Sequence, residues 1–405
     1  YYSIPLGFIF WNLQASSHIL SMSNFASHPN SSFAFLGGYA SVKAMGLEAG
    51  LNEALALDYA CIGVFCAGLV YLIVASLIKI YGIDKIMKYF PPVVTGPVVI
   101  AIGLTLSGTA ISSCQTNWGV ALVAIFAVII CSIWARKIFR IIPILIGVLV
   151  SYIFAACLGE VDFAPLHDAA WVGLPVARET SVLAVFDNPD WGLITSAIIA
   201  IVPIALATIV EHIGDMCAIS STVGENFLEN PGLHRTLTGD GLATSIAALF
   251  GAPANTTYGE NTGVLNLTRV FDPVVIRIAA VLAILFSFCP KFAMLISLMP
   301  SATIGGVSLI LYGMISAVGL RNVSEGNVDF TNSRNVIIAA LILVLAIGIK
   351  YGANDQVSFG SISLSGLAIA AIVGIILNAV LPGKPRINLW NANAVLNKKQ
   401  NNEGK

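Results

Sequence analysis

The sequence predicts an all-α protein that crosses a membrane several times, and three observations lead to this fold class. Hydrophobic residues make up 57% of the 405 residues and charged residues 10%, against roughly 25% charged residues in a soluble domain. Several windows exceed the roughly 18 apolar residues that a membrane helix needs. The segment Pro253–Arg269 sets Glu260 among Gly, Asn, Thr and Pro residues within this apolar context. Broken backbone at bilayer depth survives only where it is buried in protein or lines a cavity.

Hydropathy predicts nine membrane spans. The spans are 57–80, 91–112, 118–135, 139–158, 191–219, 273–297, 301–319, 334–350 and 363–381. Three shorter, interrupted apolar segments lie at 31–47, 238–252 and 255–268.

The distribution of Lys and Arg predicts the orientation of these spans. One set of loops and the C-terminal tail are rich in basic residues: Lys79, Lys85, Lys88, Arg136, Lys137, Arg140, Arg235, Arg269, Arg321, Arg334, Lys384, Arg386, Lys398 and Lys399. The opposite loops, 113–118 and 159–190, contain only Arg178. Because basic loops remain in the cytoplasm, we expect a cytoplasmic C-terminus, although Lys291 and Lys350 fit this pattern less well.

Composition and motifs exclude several classes of protein. A net charge of −1 argues against a nucleic-acid partner. The seven cysteines contain no CxxC pair and predict neither a disulfide framework nor a metal site. The outer loop 159–190 holds His167 among aspartates without a repeated ligand spacing, which is typical of a solvated loop. Neither HExxH nor GxSxG occurs, so we expect no enzyme, no catalytic residue, no metal and no cofactor.

Two distant stretches resemble each other and indicate an internal repeat. Ser31–Gly38 and Thr256–Gly263 each combine two hydroxyl residues, an aromatic residue and glycines. A proline-led span follows each of them, from Pro91 and from Met299. Corresponding broken segments are typical of secondary transporters built on inverted repeats. We expect the hydroxyl-rich runs to form two short antiparallel strands, and the half-helix N-termini after them to face a ligand.

The predicted helix 191–219 carries two carboxylates on one face. Glu211 and Asp215 are four residues apart and therefore lie on the same side of the helix, whereas His212 points elsewhere and is expected to have a packing role. Carboxylates facing lipid are costly, so both should face a polar interior, with Glu260 as the third member. Carboxylates that are buried close together favour protonation of one of them, which a proton-coupled carrier requires.

Four motifs carry a resemblance to a known family. EHIGD at 211–215, NPGLHR at 230–235, NTTYGEN at 255–261 and GGVSLILYG at 305–313 closely resemble bacterial uracil permeases of the nucleobase–ascorbate transporter family, also called nucleobase:cation symporter type 2. The family signature is Gln, Glu or Pro, then Asn-x-Gly, four further residues, Thr, and Arg, Lys or Gly. Residues 260–269 fit it.

The resemblance implies fourteen membrane helices in two inverted repeats of seven, divided into a core domain and a gate domain. Residues 31–90 and 191–272 would form the core domain. Residues 91–190, with the outer loop 159–190, and 273–382 would form the gate domain, and 383–405 a polar cytoplasmic tail. Such a protein would be a multi-pass protein of the bacterial cytoplasmic (inner) membrane and could form a homodimer.

The resemblance also implies a function and a set of site residues. The chain would be a proton-coupled symporter that imports uracil by alternating access, with a xanthine or other purine permease as the alternative and an anion carrier as a more distant one. Substrate would be bound by Phe33, Glu211, Tyr258, Gly259, Glu260 and Tyr312, and proton coupling would use Glu211, Asp215 and Glu260. Glu rather than Gln at the first signature position favours uracil.

Two features depart from the family pattern. Some uracil permeases have His at the position of Asp215, which bears on the details of proton coupling. Family members have two membrane helices before the segment at 31–38, whereas residues 1–30 contain no apolar span of 20 residues. We therefore expect 1–30 to be an atypical segment, truncated or mis-joined, in place of these two helices.

Overall fold

A computed structural model describes residues 35–83, 85, 88–136, 139, 142–174, 181–255, 270–353, 357–359 and 362–382. This part of the chain is helical apart from one hairpin. The helices are α1 (Leu36–Glu48), α2 (Glu53–Tyr81), α3 (Pro92–Cys114), α4 (Trp118–Trp134), α5 (Pro143–Cys157), α6 (Ala164–Asp168), α7 (Val182–Val185), α8 (Trp191–Ile201), α9 (Ile204–Val223), α10 (Leu233–Leu249), α11 (Pro273–Ser287), α12 (Pro290–Ser297), α13 (Ser301–Glu325), α14 (Ser333–Gly352) and α15 (Gly366–Val380).

Side-chain caps and prolines determine where many of these helices begin. The Asn52 side chain accepts a hydrogen bond from the Leu55 amide at 2.8 Å at the start of α2. Asn117, Asp190, Asp272, Asn332 and Ser365 cap α4, α8, α11, α14 and α15 in the same way. Such residues satisfy amide groups that have no partner within the first turn. Proline occupies the first turn of α3, α5, α11 and α12, where its missing N–H is not needed.

The helices confirm a multi-pass membrane protein. Five stretches are long and apolar enough to cross a bilayer: α2, α3, α8 continuing into α9, α13 and α14. A sixth consists of α11 and α12, which are bent by 92° at the break between them. The predicted span 273–297 is therefore divided by a sharp bend. Three shorter apolar helices, α4, α5 and α15, match the predicted spans 118–135, 139–158 and 363–381 in position.

Two groups of helices make most of the packing contacts. In one group, α2 packs against α1, α7, α8 and α10. In the other, α3 and α13 pack against each other, α13 also packs against α4, and α3 also packs against α14 and α15. Glycines allow the closest crossings. A Cβ atom on Gly68 of α2 would lie 2.7 Å from the Gly241 carbonyl oxygen of α10. One on Gly319 of α13 would lie 2.6 Å from the Ile100 amide nitrogen of α3. Small residues are typical of such close helix approaches in membranes.

Helix α9 lies between the two groups. It contacts α2, α8 and α10 in the first group and α3, α13 and α15 in the second. The approach to α13 is close at Gly214, where a Cβ atom would lie 2.9 Å from Asn322 Nδ2. The same amide group donates a hydrogen bond to Thr95 Oγ1 of α3 at 3.1 Å. The helix that carries Glu211 and Asp215 is thus placed at the junction of the groups.

The loop between α5 and α8 is more structured than the sequence suggested. It contains the short helices α6 and α7. The Gly173 backbone amide donates to the Phe288 carbonyl, and the Lys291 backbone amide donates to the Ala170 carbonyl, both at 3.0 Å. The Lys291 ammonium lies 4.8 Å from the centroid of the Trp171 ring. These contacts attach the loop to the bend between α11 and α12.

A hydrogen-bonded cluster joins the last two helices to an early part of the chain. The Arg334 guanidinium, 7% exposed, donates to the Asn378 side-chain oxygen at 2.7 Å and to its carbonyl at 2.9 Å. The Asn378 amide group donates to the Lys88 carbonyl at 2.9 Å. This cluster connects α14, α15 and the segment before α3.

The single hairpin pairs β1 (Val357–Phe359) with β2 (Ile362–Leu364) in antiparallel register, with Ser358 opposite Ser363. It does not correspond to the predicted strands, which fall at 31–32 and 256–257, outside the described residues. Both those strands and the inverted repeat of seven helices remain predictions.

Candidate functional site

Helix α9 brings the predicted carboxylates to the junction of the two helix groups. It begins after Pro203 and ends at Gly224, whose φ of 86° is left-handed and favours glycine. Glu211 is half-buried, and Asp215, one turn later, is 3% exposed. Asp215 is therefore enclosed by the protein and Glu211 partly enclosed, in line with the cost of exposing carboxylates to lipid.

His212 is turned about 100° from Glu211 around α9 and is held between two side chains of α10. Its Nδ1 lies 3.1 Å from Asp240 Oδ2, and its Nε2 lies 2.9 Å from Thr236 Oγ1. The His212 and Asp240 side chains are 5% and 12% exposed. Because the Asp240 carboxylate only accepts, Nδ1 carries the proton in this pair.

Tyr71 of α2 completes a buried polar cluster behind α9. The side chain is 1% exposed, and its hydroxyl lies near Thr208 and Glu211 of α9 and near Asp240 of α10. The structure thus brings Glu211 together with Tyr71 and with the His212–Asp240 pair. Asp240 and Tyr71 were not predicted from the sequence. Asp240 is the only acidic residue in α10, and this isolated charge was a usable signal.

Tyr312, the predicted residue from the second helix group, is 2% exposed in the middle of α13. Its hydroxyl is hydrogen-bonded to Ser308, one turn earlier. The backbone there packs tightly on α3, since a Cβ atom on Gly103 would lie 2.3 Å from the Tyr312 carbonyl oxygen. Tyr312 therefore lies within the second helix group, whereas Glu211 lies on α9 between the two groups.

Phe33, Tyr258, Gly259 and Glu260 lie outside the described residues, but the chain that flanks them is described. The Ala254 amide donates to the Tyr39 hydroxyl of α1 at 3.0 Å. Thr244 of α10 donates to the Asn255 carbonyl at 2.8 Å. The helix that follows Phe33 and the segment that leads to Glu260 are therefore in direct contact.

Within the described ranges, no group of three or more His, Cys, Asp or Glu side chains could hold a metal ion. The arrangement instead consists of carboxylates, hydroxyls and one imidazole in a buried setting. Such groups can accept hydrogen bonds from a small polar ligand and can bind protons.

Comparisons with known proteins agree with this picture. A family model described as the Permease family (Xan_ur_permease) matches residues 19–354. The uracil permease of Bacillus subtilis is 41% identical over 377 residues, which cover 90% of this chain and 83% of that protein. The uracil permease of Bacillus caldolyticus is 43% identical, covering 82% and 78%. That of Escherichia coli K12 is 35% identical, covering 86% and 78%.

A similar fold occurs among solved structures. The transmembrane domain of a cyanobacterium bicarbonate transporter, BicA, aligns with a TM-score of 0.52 over 94% of this chain and 98% of that one. At 15% sequence identity this likeness concerns the fold alone. The relatives above are named as permeases, that is, transporters rather than enzymes, so the expectation that the chain is not an enzyme is confirmed. By the match over residues 19–354, the chain is a multi-pass membrane protein that belongs to the Permease family.

Proposed function

We propose that the chain imports uracil together with a proton across the cytoplasmic membrane of a bacterium by alternating access. The observation that carries the proposal is the identity of 35–43% to uracil permeases over more than four fifths of the chain. The placement of Glu211 and Asp215 at the junction of two helix groups supports it, because a carrier must expose its site to each side in turn.

The chemistry of uracil suits the proposed site. The ring has two N–H donors and two carbonyl acceptors, and each polar group left unpaired in a buried site would cost about 1–3 kcal/mol. Glu211 and Glu260 would accept from the ring N–H groups. Backbone amides near Phe33 and at Gly259–Glu260 would donate to the carbonyls. Tyr258 would lie beside the ring, and Tyr312 would approach from the other helix group.

Proton coupling is assigned to Glu211, Asp215 and Glu260. Carboxylates that face a dry interior bind a proton more readily than exposed ones do. Uracil bound through its N–H groups requires acceptors on the protein, so binding of substrate and of protons is linked at these side chains.

The two helix groups support a division into a core domain and a gate domain. The group around α2 and α10, with α9 at its edge, would carry the substrate site. The group around α3 and α13 would act as the gate and could mediate homodimer formation. The basic loops and the C-terminus would lie in the cytoplasm.

Uptake into proteoliposomes tests the function. Purified protein should accumulate labelled uracil when an inward proton gradient is applied, and a protonophore should abolish the accumulation. Unlabelled uracil should compete more strongly than xanthine. Uptake that ignores the gradient would contradict proton coupling, and competition by xanthine but not by uracil would favour a purine permease. Competition by bicarbonate or sulfate alone would favour an anion carrier.

Glu260→Gln should weaken uracil binding by about 1.5–3 kcal/mol, because a hydrogen bond to a charged acceptor is replaced by a neutral one. Isothermal titration calorimetry measures the change, and Glu225→Gln, at an exposed position after α9, is the control. Unchanged affinity would remove Glu260 from the site. Asp215→Asn should retain uracil binding but lose accumulation driven by the proton gradient. Loss of both binding and accumulation would give Asp215 a structural or ligand-contacting role.

A further inference from the structure

Asp58 is a buried carboxylate that neither the predicted site nor the proposed mechanism includes. It lies on α2, six residues after the capping residue Asn52, or about 9 Å along the helix. The side chain is 0% exposed. Within the described chain neither carboxylate oxygen has a hydrogen-bond partner. A carboxylate of this kind inside a membrane helix is a candidate functional group.

Because no hydrogen-bond donor of the described chain contacts the Asp58 side chain, its protonated form fits this structure better than its ionised form. An ionised carboxylate that is buried without a donor or a cation is strongly unfavourable, and such a group takes up a proton instead. The neutral acid needs one acceptor at most and is compatible with apolar surroundings. The conformation described here therefore accommodates Asp58 as a carboxylic acid.

The neighbours of Asp58 connect it to the segment that leads to Glu260. Cys61, one turn later on the same face of α2, is within electrostatic range of Asp58 and also of Tyr39. Its thiol points to the Ala252 carbonyl at 3.9 Å. The Tyr39 hydroxyl accepts from the Ala254 amide at 3.0 Å. Asp58, Cys61 and Tyr39 thus form a buried cluster against residues 252–254.

No charged group on the described neighbouring elements could stabilise an ionised Asp58 in place of a bound proton. The charged and titratable groups on the elements that pack against α2 include Tyr39, Lys43 and Glu48 on α1, Asp187 and Asp190 before α8, Glu211, His212 and Asp215 on α9, and His234, Arg235 and Asp240 on α10. The ammonium of Lys43 is paired with Glu53. None of these groups is a hydrogen-bond partner of either Asp58 carboxylate oxygen. A metal cation would need several oxygen ligands, and Asp58 belongs to no group of three acidic, His or Cys side chains in the described ranges.

We propose that Asp58 is a further proton-binding residue of the transporter, separate from Glu211, Asp215 and Glu260 and located between the outer loop and the segment that leads to Glu260. The end of α2 that carries it is covered by the chain before α8, where the Asp190 amide donates to the Tyr59 hydroxyl at 2.9 Å. In each transport cycle the Asp58 carboxylate gains one proton from the outer solution and later releases it toward the cytoplasm. The proposal rests on proton-coupled import as the function of the chain.

Infrared difference spectroscopy tests the protonation of Asp58 without requiring transport. Wild-type protein at neutral pH should show the C=O absorption of protonated carboxylic acids, and Asp58→Asn and Asp58→Leu should both lose the part of it that belongs to Asp58. Leucine fits a buried site without donors, so this variant should fold even if the asparagine variant does not. Glu48→Gln, at an exposed position on α1, should retain the band. A band of equal intensity in wild-type and Asp58→Leu protein would overturn the proposal.

Transport measurements then test coupling. Asp58→Asn and Asp58→Leu should retain uracil binding and uracil exchange across the membrane but lose accumulation driven by the proton gradient, and Asp58→Glu should restore part of it. If wild-type uptake is gradient-driven and Asp58→Leu matches it, the Asp58 proposal fails while the proposed function stands. If wild-type protein shows no gradient-driven uptake, the proposed function fails, and the infrared band alone decides whether Asp58 binds a proton.

Discussion

Buried polar side chains on α9 and α10 satisfy one another across the helix contact. His212 is bonded at both ring nitrogens, to Asp240 and to Thr236. Removal of one partner of a buried pair leaves the other with its full desolvation cost and no compensating bond. The pair therefore fixes the rotation of α9 about its axis, and with it the directions in which Glu211 and Asp215 project.

Asp240→Ala should lower the free energy of unfolding by about 1–3 kcal/mol, because the Nδ1 donor of His212 is left buried without its acceptor. Unfolding in detergent, followed by tryptophan fluorescence, measures the change. Glu229→Gln, which alters an exposed acid just before α10, should leave the midpoint unchanged. The double variant His212→Ala/Asp240→Ala should lose less than the sum of the single changes, and strict additivity would contradict the pairing.

Sequence reasoning at the residue scale succeeded where a single helix determines the outcome. The four-residue spacing of Glu211 and Asp215 predicted a shared face turned away from lipid. Asp215 is buried and Glu211 half-buried, and their roles in the site stay predictions. Asp240 and Tyr71 were missed because their roles depend on which helices pack together, which periodicity within one helix does not reveal. Asp58 was missed because one acid near the end of a long apolar run does not interrupt the run.

At the scale of elements, glycines determine how closely α2 approaches α10. A Cβ atom on Gly241 would lie 2.6 Å from Tyr71 Cβ and 2.8 Å from the Gly68 carbonyl oxygen. Neither neighbour can move without a shift of its helix, since one is backbone and the other is the first atom of a side chain. Gly239, on the same helix, has nothing within 4 Å of such a Cβ atom.

Gly241→Ala should therefore destabilise the protein, whereas Gly239→Ala should be neutral or stabilising by up to about 1 kcal/mol, the difference in helix propensity. Thermal unfolding of the two variants side by side measures the contrast. An equal effect of both substitutions would show that helix propensity, rather than the close crossing, determines the result.

Hydropathy located most of the helices because apolar length is a property of the local sequence. The predicted span 118–135 corresponds to α4, 334–350 to α14 and 91–112 to α3, each within a few residues. The bend between α11 and α12 was missed because the sequence stays apolar across it. Pro290 marks the break, since proline disfavours a helical conformation of the preceding residue. The positions of the short helices α6 and α7 depend on contacts of the loop and were not predictable.

At the scale of the whole molecule, the proposed orientation follows from the basic loops alone and can be tested on exposed residues. Asp168, at the end of α6, belongs to the loop expected outside, and Glu225, after α9, belongs to a loop expected in the cytoplasm. Both are exposed. Cys157 is an exposed native thiol and has to be removed before either position is labelled.

In a Cys157→Ser background, Asp168→Cys should react with a membrane-impermeant maleimide in intact cells, and Glu225→Cys should react only after the cells are opened. Gel mobility after labelling with a large maleimide gives the readout, and the Cys157→Ser protein alone is the control. Labelling of Glu225→Cys but not of Asp168→Cys in intact cells would reverse the orientation.

The cluster of Arg334, Asn378 and the Lys88 carbonyl has a consequence for biosynthesis. Lys88 leaves the ribosome 290 residues before Asn378 does, so the hydrogen bond between them forms only after Asn378 has been synthesised. Helix α3 likewise cannot complete its packing before α13, its most extensive partner, has been synthesised. Contacts this distant along the chain slow folding. The early membrane-inserted helices must therefore persist as a loose, unfinished bundle, the stage at which a membrane chaperone or a quality-control protease would recognise the nascent protein.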